Sequence, residues 1–336
     1  MTSKRLDNVG EYGLLKRLEK KLVSRSLPKG RVIVGIGDDA FAAILSKNKV
    51  LVVTKDMLVE DIHFRRRWIK PEDLGYKSMV VNLSDLAAMG GAKPLYALVG
   101  LGLPGDISVD FVDKLYIGLN KACSKYGCMI AGGDTVSTKK DIVISITLIG
   151  EMDKDKLVTR SGARPGDLVC VSGNFGDSAA GLHLLEEGRI KADSCGKKLI
   201  QKHLLPVPRL ELAKKLSETG HVTSMIDSSD GLAASLKFIT EKSCVGAEID
   251  IEKIPVSKEL LELSFKDRVV NPLRLALGGG EDYELVFTAN PKVINNIKRF
   301  AEDIACIGVI TKKKGLNYMS NGRAVKFGTL GYQAFI

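Results

Sequence analysis

The chain has 336 residues, 45% of them apolar and 27% charged, which is the balance of a globular protein too long for one hydrophobic core, so two domains are expected, taken as residues 1–152 and 153–336. No apolar stretch approaches the ~20 residues of a membrane-spanning helix, and the N-terminal Met-Thr-Ser-Lys-Arg-Leu-Asp lacks an apolar signal core, so a cytoplasmic protein without membrane partners is expected. The net charge of +10 comes from scattered basic residues, with Arg65-Arg66-Arg67-Trp68 and Lys312-Lys313-Lys314 the tight runs, which argues against nucleic acid and suits anionic phosphate substrates.

In chain order, residues Val9–Leu22 carry apolar positions at helical spacing. Arg31–Ile36 and Lys49–Val53 are short β-branched runs and read as buried strands. Pro71 followed by Glu72 and Asp73 opens a helix towards Ala88, since proline suits the first helical position and acids suit the N-terminal dipole. Tyr96–Leu103 reads as a strand, Asp110–Tyr126 as a helix, and Cys128–Ala131 as a strand leading into Gly132-Gly133-Asp134. Asp141–Ile149 is the clearest strand. Thr159–Asp167 is turn-rich and joins the two halves. Beyond it come strand Leu168–Ser172, helix Ser178–Leu185, a helix through Leu216 after Pro206 and Pro208, and a helix from Gly231 to about Glu241 capped by Ser229-Asp230. Strands alternating with helices in both halves indicate α/β or α+β layers.

Six segments set carboxylates among small residues: Gly37-Asp38-Asp39, Thr54-Lys55-Asp56, Asn82-Leu83-Ser84-Asp85, Gly132-Gly133-Asp134, Asp227-Ser228-Ser229-Asp230 and Gly278-Gly279-Gly280-Glu281-Asp282. Most follow an apolar run, which predicts that they sit where a buried strand gives way to a loop. Gathered carboxylates repel by about 4 kcal/mol per pair at 4 Å and an effective dielectric of 20, so a cation must fill the cluster. Oxygen donors with no adjacent His or Cys favour Mg²⁺ or Mn²⁺, and such ions beside glycine-rich backbone make a polyphosphate site. The six cysteines form no C-x-x-C pair and read as free thiols, and the four histidines show no metal-ligand spacing.

Gly35-Ile36-Gly37-Asp38-Asp39-Ala40 has the spacing of a dinucleotide fingerprint, but two acids inside the turn oppose a pyrophosphate, and the next strand follows too soon for a βαβ unit. No P-loop and no protein-kinase signature occurs, so a bound nucleotide is held through metal ions, with glycine backbone and Arg160 as further donors. His63 lies just past the Asp56 segment and reads as a substrate contact.

The ordered set Gly35–Asp39, Thr54–Phe64, Val81–Gly90, Gly132–Thr135, Thr159–Gly162, Ile226–Leu232 and Gly279–Leu285 resembles the thiamine-monophosphate kinase family over nearly the whole chain. The resemblance implies a two-domain α/β (α+β) fold of the aminoimidazole ribonucleotide synthetase-like kind, with the N-terminal domain pairing in a homodimer. It implies ATP as co-substrate, several Mg²⁺ ions, and thiamine monophosphate as the acceptor that becomes thiamine diphosphate. Carried over by position, Asp39, Thr54, Lys55, Asp56, Asp85, Asp134, Asp227 and Asp230 are metal ligands, with Asp85, Asp134 and Asp230 catalytic. Tyr126, Gly133, Arg160 and Ser229 contact ATP, and His63, Glu281, Thr329 and Tyr332 contact the thiamine phosphate. Lys55 stands where the family usually has Thr or Ser and serves through its backbone; Thr329 replaces the usual stacking aromatic, with Tyr332 as its substitute. Selenophosphate synthetase requires an N-terminal nucleophilic Cys, yet no cysteine precedes Cys123; the hydrogenase-maturation relative ends in a reactive Cys where this chain reads Ala-Phe-Ile. Aminoimidazole ribonucleotide synthetase lacks the His63-Phe64 pair.

Overall fold

A computed structural model of the chain describes residues 6, 10–22, 31–189 and 193–327. The first unit runs α1 (Gly10–Leu22), β1 (Val32–Val34), β2 (Phe41–Ile44), β3 (Lys49–Val59), α2 (Pro71–Ala88), β4 (Lys93–Pro104), α3 (Val109–Tyr126), β5 (Met129–Thr138) and β6 (Val143–Asp153). Its strands form one sheet in the order β1-β2-β3-β6-β4-β5. β4 and β5 are parallel, with α3 as the crossover; the other neighbours are antiparallel.

One face of this sheet is core. Val50, Val52, Ile144, Ile146, Leu148, Ala97, Val99 and Leu101 are buried there, beneath α2 and α3. Helix α2 begins at Pro71 with Glu72 and Asp73 in its first turn. Almost every side chain from Leu74 to Ala88 is buried, because α2 packs on α3 and β3 and also on β8 and α6 of the second unit. An all-round buried helix must have small residues where it meets another closely. A Cβ on Gly75 would lie 2.0 Å from the Leu115 carbonyl oxygen, and one on Gly118 would lie 1.8 Å from that of Glu72. The opposite face of the sheet is different: Met57, Tyr96, Leu98, Met129 and Val136 are exposed on it or along its β5 edge.

The second unit contains β7 (Leu168–Val171), α4 (Asp177–Glu186), α5 (Ser194–Leu204), α6 (Leu210–Glu218), β8 (Val222–Asp227), α7 (Leu232–Ser243), β9 (Gly246–Asp250), α8 (Lys258–Lys266), α9 (Pro272–Gly278), β10 (Leu285–Ala289), α10 (Ile294–Lys298), β11 (Ala305–Thr311), β12 (Gly315–Ser320) and β13 (Arg323–Val325). The sheet order is β13-β12-β9-β11-β7-β10-β8. The mixed α/β architecture agrees with the class expected from the alternation of elements. Among the described residues no helix is long and apolar enough to cross a membrane.

Several local expectations need correction. Thr54-Lys55-Asp56 lies inside β3, which stays paired with β6 from Lys49↔Asp153 to Val59↔Val143. Gly132-Gly133-Asp134 lies inside β5, and Asn82–Asp85 lies inside α2, so only three of the six acidic segments are loops. Polar residues interrupt the apolar runs without ending the strands, since hydrogen bonds to a neighbouring strand carry the backbone onward. Helix α7 starts at Leu232 with Gly231 at its N-cap, φ 100°, and no side-chain cap, so Ser229 and Asp230 do not cap it. Helix α5 was not expected from the sequence.

Candidate active site

A cleft of about 800 Å³ lies where α2 meets the second unit. Asp56, Asp85, Asp227, Asp230, His63 and Glu281 all line it. Each acid comes from a different kind of support. Asp39 follows β1 in a loop, Asp56 is in the middle of β3, Asp85 is on the last full turn of α2, and Asp227 ends β8. Asp39, Asp85 and Asp227 each offer a carboxylate oxygen, all within 4.8 Å of one another.

Neighbouring groups fix these carboxylates. The Ser84 hydroxyl donates to Asp227 Oδ2 at 2.6 Å. The Thr54 hydroxyl donates to Asp85, so in this structure its oxygen serves a carboxylate. The Asp56 backbone N–H donates to Asn82 Oδ1 at 3.2 Å, tying β3 to α2. Asp39 Oδ2 is buried with no hydrogen-bond partner among the described residues. An orphaned buried carboxylate oxygen is costly unless a cation meets it.

The electrostatics point the same way. Burial, then the charges of Asp56, Asp227 and Asp39, push Asp85 well above the ordinary carboxylate range. Burial and then Asp39 push Asp227 up to about 8. Asp56 rises to about 6, from burial first and then from Asp39 and Asp230. Asp38 also rises to about 6, through burial and Asp39. A divalent ion bound here would relieve the repulsion among these four acids, which resist ionising together.

Arg160 is the protein's own counter-charge there. Its guanidinium pairs with Asp39, and its backbone N–H donates to the Asp38 carboxylate at 3.2 and 3.3 Å. Burial works against the cation, but the Asp39 charge outweighs it and raises the Arg160 pKa. The guanidinium also stacks 4.9 Å from the Phe238 ring centroid.

His63 and Glu281 line the same cleft; His63 Nδ1 accepts the Val59 backbone N–H at 3.1 Å, which leaves Nε2 to carry the proton of the neutral ring. Burial lowers the His63 pKa, so the neutral form is favoured. Glu281 has φ +64° and pairs with the buried Lys77 at 2.9 Å. Its backbone N–H donates to the Ser229 carbonyl at 2.7 Å, which joins the two glycine- and serine-rich loops.

Other expected residues lie elsewhere. Asp134 pairs with Gly100 on the Tyr96 and Leu98 side of the sheet, away from Asp56 and Asp85. β5 is also three strand spacings from β3, roughly 14 Å at 4.8 Å each. Gly133 is on the same edge strand, where a Cβ would lie 1.9 Å from the Val99 carbonyl oxygen. Tyr126 ends α3, with its hydroxyl 3.3 Å from that of Tyr76. Lys55 turns to the outer face and donates to Ser145 Oγ at 2.7 Å. Thr329 and Tyr332 lie outside the described residues. Lys77 and His203 were not singled out from the sequence, and Asn82 and Ser84 stood inside the Asn82–Asp85 segment without a role of their own. The available signal was the single cation in an otherwise apolar stretch of α2.

The chain matches the AIR synthase related protein family, through its N-terminal domain over residues 37–152 and its C-terminal domain over residues 164–320. It is 41% identical over 288 residues to the thiamine-monophosphate kinase of Aquifex aeolicus (strain VF5), covering 86% of this chain and 88% of that one. Identity to the thiamine-monophosphate kinase of Escherichia coli (strain K12) is 36%, covering 97% and 98%. A solved structure of AaThiL complexed with AMPPCP and TMP superposes with a TM-score of 0.87 at 36% identity, covering 99% of this chain and all of that one. A HypE-HypF complex, at 21% identity and a TM-score of 0.70, shares the fold.

Proposed function

The chain belongs to the thiamine-monophosphate kinase family, a kinase family with a phosphate acceptor, and we propose that it moves the γ-phosphoryl of ATP directly, in line, onto the phosphate of thiamine monophosphate with the help of several Mg²⁺ ions. The observation that carries this reading is the convergence of Asp39, Asp85 and Asp227 within 4.8 Å, with Asp85 and Asp227 lining a cleft that His63 and Glu281 also line. The relative solved with AMPPCP, an ATP analogue, and TMP supports ATP and thiamine monophosphate as the two substrates.

The all-oxygen donor set and the orphaned Asp39 oxygen suit Mg²⁺. Asp39, Asp56, Asp85, Asp227 and Asp230 would hold the ions, together with the hydroxyl or backbone of Thr54 and the backbone of Lys55. Bound Mg²⁺ supplies neutralisation of the charge on the transferring phosphoryl group. The chain's own contribution is to position both partners. Arg160 and Ser229 sit beside the acids for the nucleotide, and His63 Nε2–H faces the acceptor phosphate. An acceptor phosphate is already ionised at neutral pH, so no general base is required. An alcohol acceptor would need one, and every acid of the cluster is committed to cations.

The proposal includes a homodimer through the outer face of the first sheet, supported by the exposed Met57, Tyr96, Leu98, Met129 and Val136. Asp134, Gly133 and Tyr126 keep their metal and nucleotide roles across that interface, since within one chain Asp134 is turned away from Asp85. The test supplies ATP and Mg²⁺ with thiamine monophosphate or with free thiamine, and the products are separated. Thiamine diphosphate from the monophosphate alone is expected. Its formation from free thiamine would contradict transfer without a base. ATP consumption with no diphosphate from either acceptor would assign the chain another substrate.

A further inference from the structure

Lys77 is 1% exposed in the middle of α2. Its ammonium donates to Glu281 Oε2 at 2.9 Å and to the His203 carbonyl at 3.0 Å. His203 Nδ1 lies 3.1 Å from the same Oε2 and 3.1 Å from Ser178 Oγ. Burial and then Lys77 lower the His203 pKa to about 4, so the ring is neutral. Ser178 Oγ is the hydrogen-bond partner of Nδ1, and the tautomer with its proton on Nδ1 is the one that sets no ring lone pair against the neighbouring Glu281 oxygen. Three elements thus meet on one oxygen: α2 of the first unit, α5 of the second, and the loop after α9.

That loop is held in an unusual shape. Glu281 and Tyr283 both have left-handed backbone, φ 64° and 52°, which non-glycine residues seldom adopt. Between them, the Asp282 carboxylate accepts the N–H groups of Gly176 at 2.7 Å and Ser178 at 3.1 Å, at the start of α4. Stability is a poor explanation for the arrangement, since the desolvation of a buried ion pair offsets most of its attraction. The location is more telling. Lys77, Val81 and Asp85 stand at i, i+4 and i+8, one stripe of α2, and Val81 and Asp85 line the same cleft as Glu281. Eight residues of helix span about 12 Å.

We propose that Lys77 and His203 are positioning residues for the acceptor: by occupying Oε2 they hold Glu281 charged and oriented, with Oε1 presented to the cleft as the hydrogen-bond anchor for the amino-bearing ring of thiamine monophosphate. The α2 stripe then sets the reach between that anchor and the carboxylates at Asp85, so that a seated ring delivers its phosphate to the transfer site. The inference rests on the functional reading above and assigns how its substrate is measured.

The test is steady-state kinetics with both substrates varied. Lys77→Met is expected to raise KM for thiamine monophosphate at least tenfold, to leave KM for ATP within twofold, and to change kcat less than either KM ratio implies for a damaged fold. His203→Leu is expected to raise the same KM, and His203→Asn, whose amide can replace the Nδ1–H donor, to recover most of the loss. In a Glu281→Gln background, Lys77→Met is expected to add less than twofold, because its effect passes through Glu281. Equal rises in both KM values, an Asn variant as impaired as the Leu variant, or an undiminished Lys77→Met effect in the Glu281→Gln background would each overturn the proposal. Should Lys77→Met fail to fold, the two His203 variants decide. Failure of the functional reading is seen separately, as absence of thiamine diphosphate with the unaltered protein, and it removes both.

Discussion

Asp227→Asn is expected to stabilise the metal-free protein at and above neutral pH while destroying its capacity to hold a divalent ion. Asp227 is 2% exposed, and burial followed by the Asp39 charge moves its pKa from 3.8 to about 8. The folded carboxyl therefore binds its proton more tightly than the unfolded one. The sign follows: this group favours the folded state fully below about pH 4, and that advantage is lost as pH rises towards 8. At 1.36 kcal/mol per pH unit the full span is worth about 6 kcal/mol, and the interval from pH 5 to 8 about 4 kcal/mol. Asn never ionises, and its oxygen can still accept the Ser84 hydroxyl that meets Oδ2 at 2.6 Å. Urea denaturation in EDTA at pH 5, 6, 7 and 8 measures both proteins. The unaltered chain should lose about 4 kcal/mol more than the variant across this range; the variant retains a shallower slope from Asp85, raised well above the ordinary range, and from Asp38 and Asp56, each raised to about 6. Millimolar Mg²⁺ should restore the unaltered chain at pH 8, by about 2.7 kcal/mol at a hundredfold excess over Kd, and leave the variant unmoved. Identical pH profiles for the two proteins, or a parent whose stability in EDTA rises from pH 5 to 8, would refute the reasoning that these acids are crowded against their own charge.

Asp85→Asn, which keeps size and removes charge, should cut phosphoryl transfer by at least about a hundredfold with an unchanged circular dichroism spectrum; retained Mg²⁺-dependent turnover sinks the cluster assignment. Light scattering should give twice the 36.4 kDa chain mass, and Leu98→Glu on the outer sheet face should halve it; an active monomer counts against the dimer. Mixing inactive Asp85→Asn and Asp134→Asn chains after unfolding and refolding together should restore about a quarter of wild-type activity, since half the dimers carry one intact site if a partner supplies Asp134. No recovery would return Asp134 to a role within its own chain. Gly133→Ala should lower Tm by several degrees, read by differential scanning calorimetry, because its Cβ would meet the Val99 carbonyl oxygen at 1.9 Å; an unchanged Tm shows that β4 and β5 move apart at no cost.

The sequence by itself determined whatever local chemistry decides. Pro71 with Glu72 and Asp73 marks the start of α2 because a missing N–H and two acids suit a helix N-terminus wherever the rest of the chain goes. The recurrence of acids among small residues was equally legible, and with it both the need for a cation and the family resemblance. Tertiary structure decided which acids meet. Asp39, Asp85 and Asp227 are dispersed along the chain, and they converge because α2 is buried between the first sheet and β8, a contact no local pattern encodes. The same burial sent Arg160 onto Asp39 and paired Lys77 with Glu281, whereas Asp134 lies on the other side of the sheet. Strand pairing set that last outcome: alternation puts neighbours on opposite faces, and only the register of β5 on β4 tells which face belongs to Asp134.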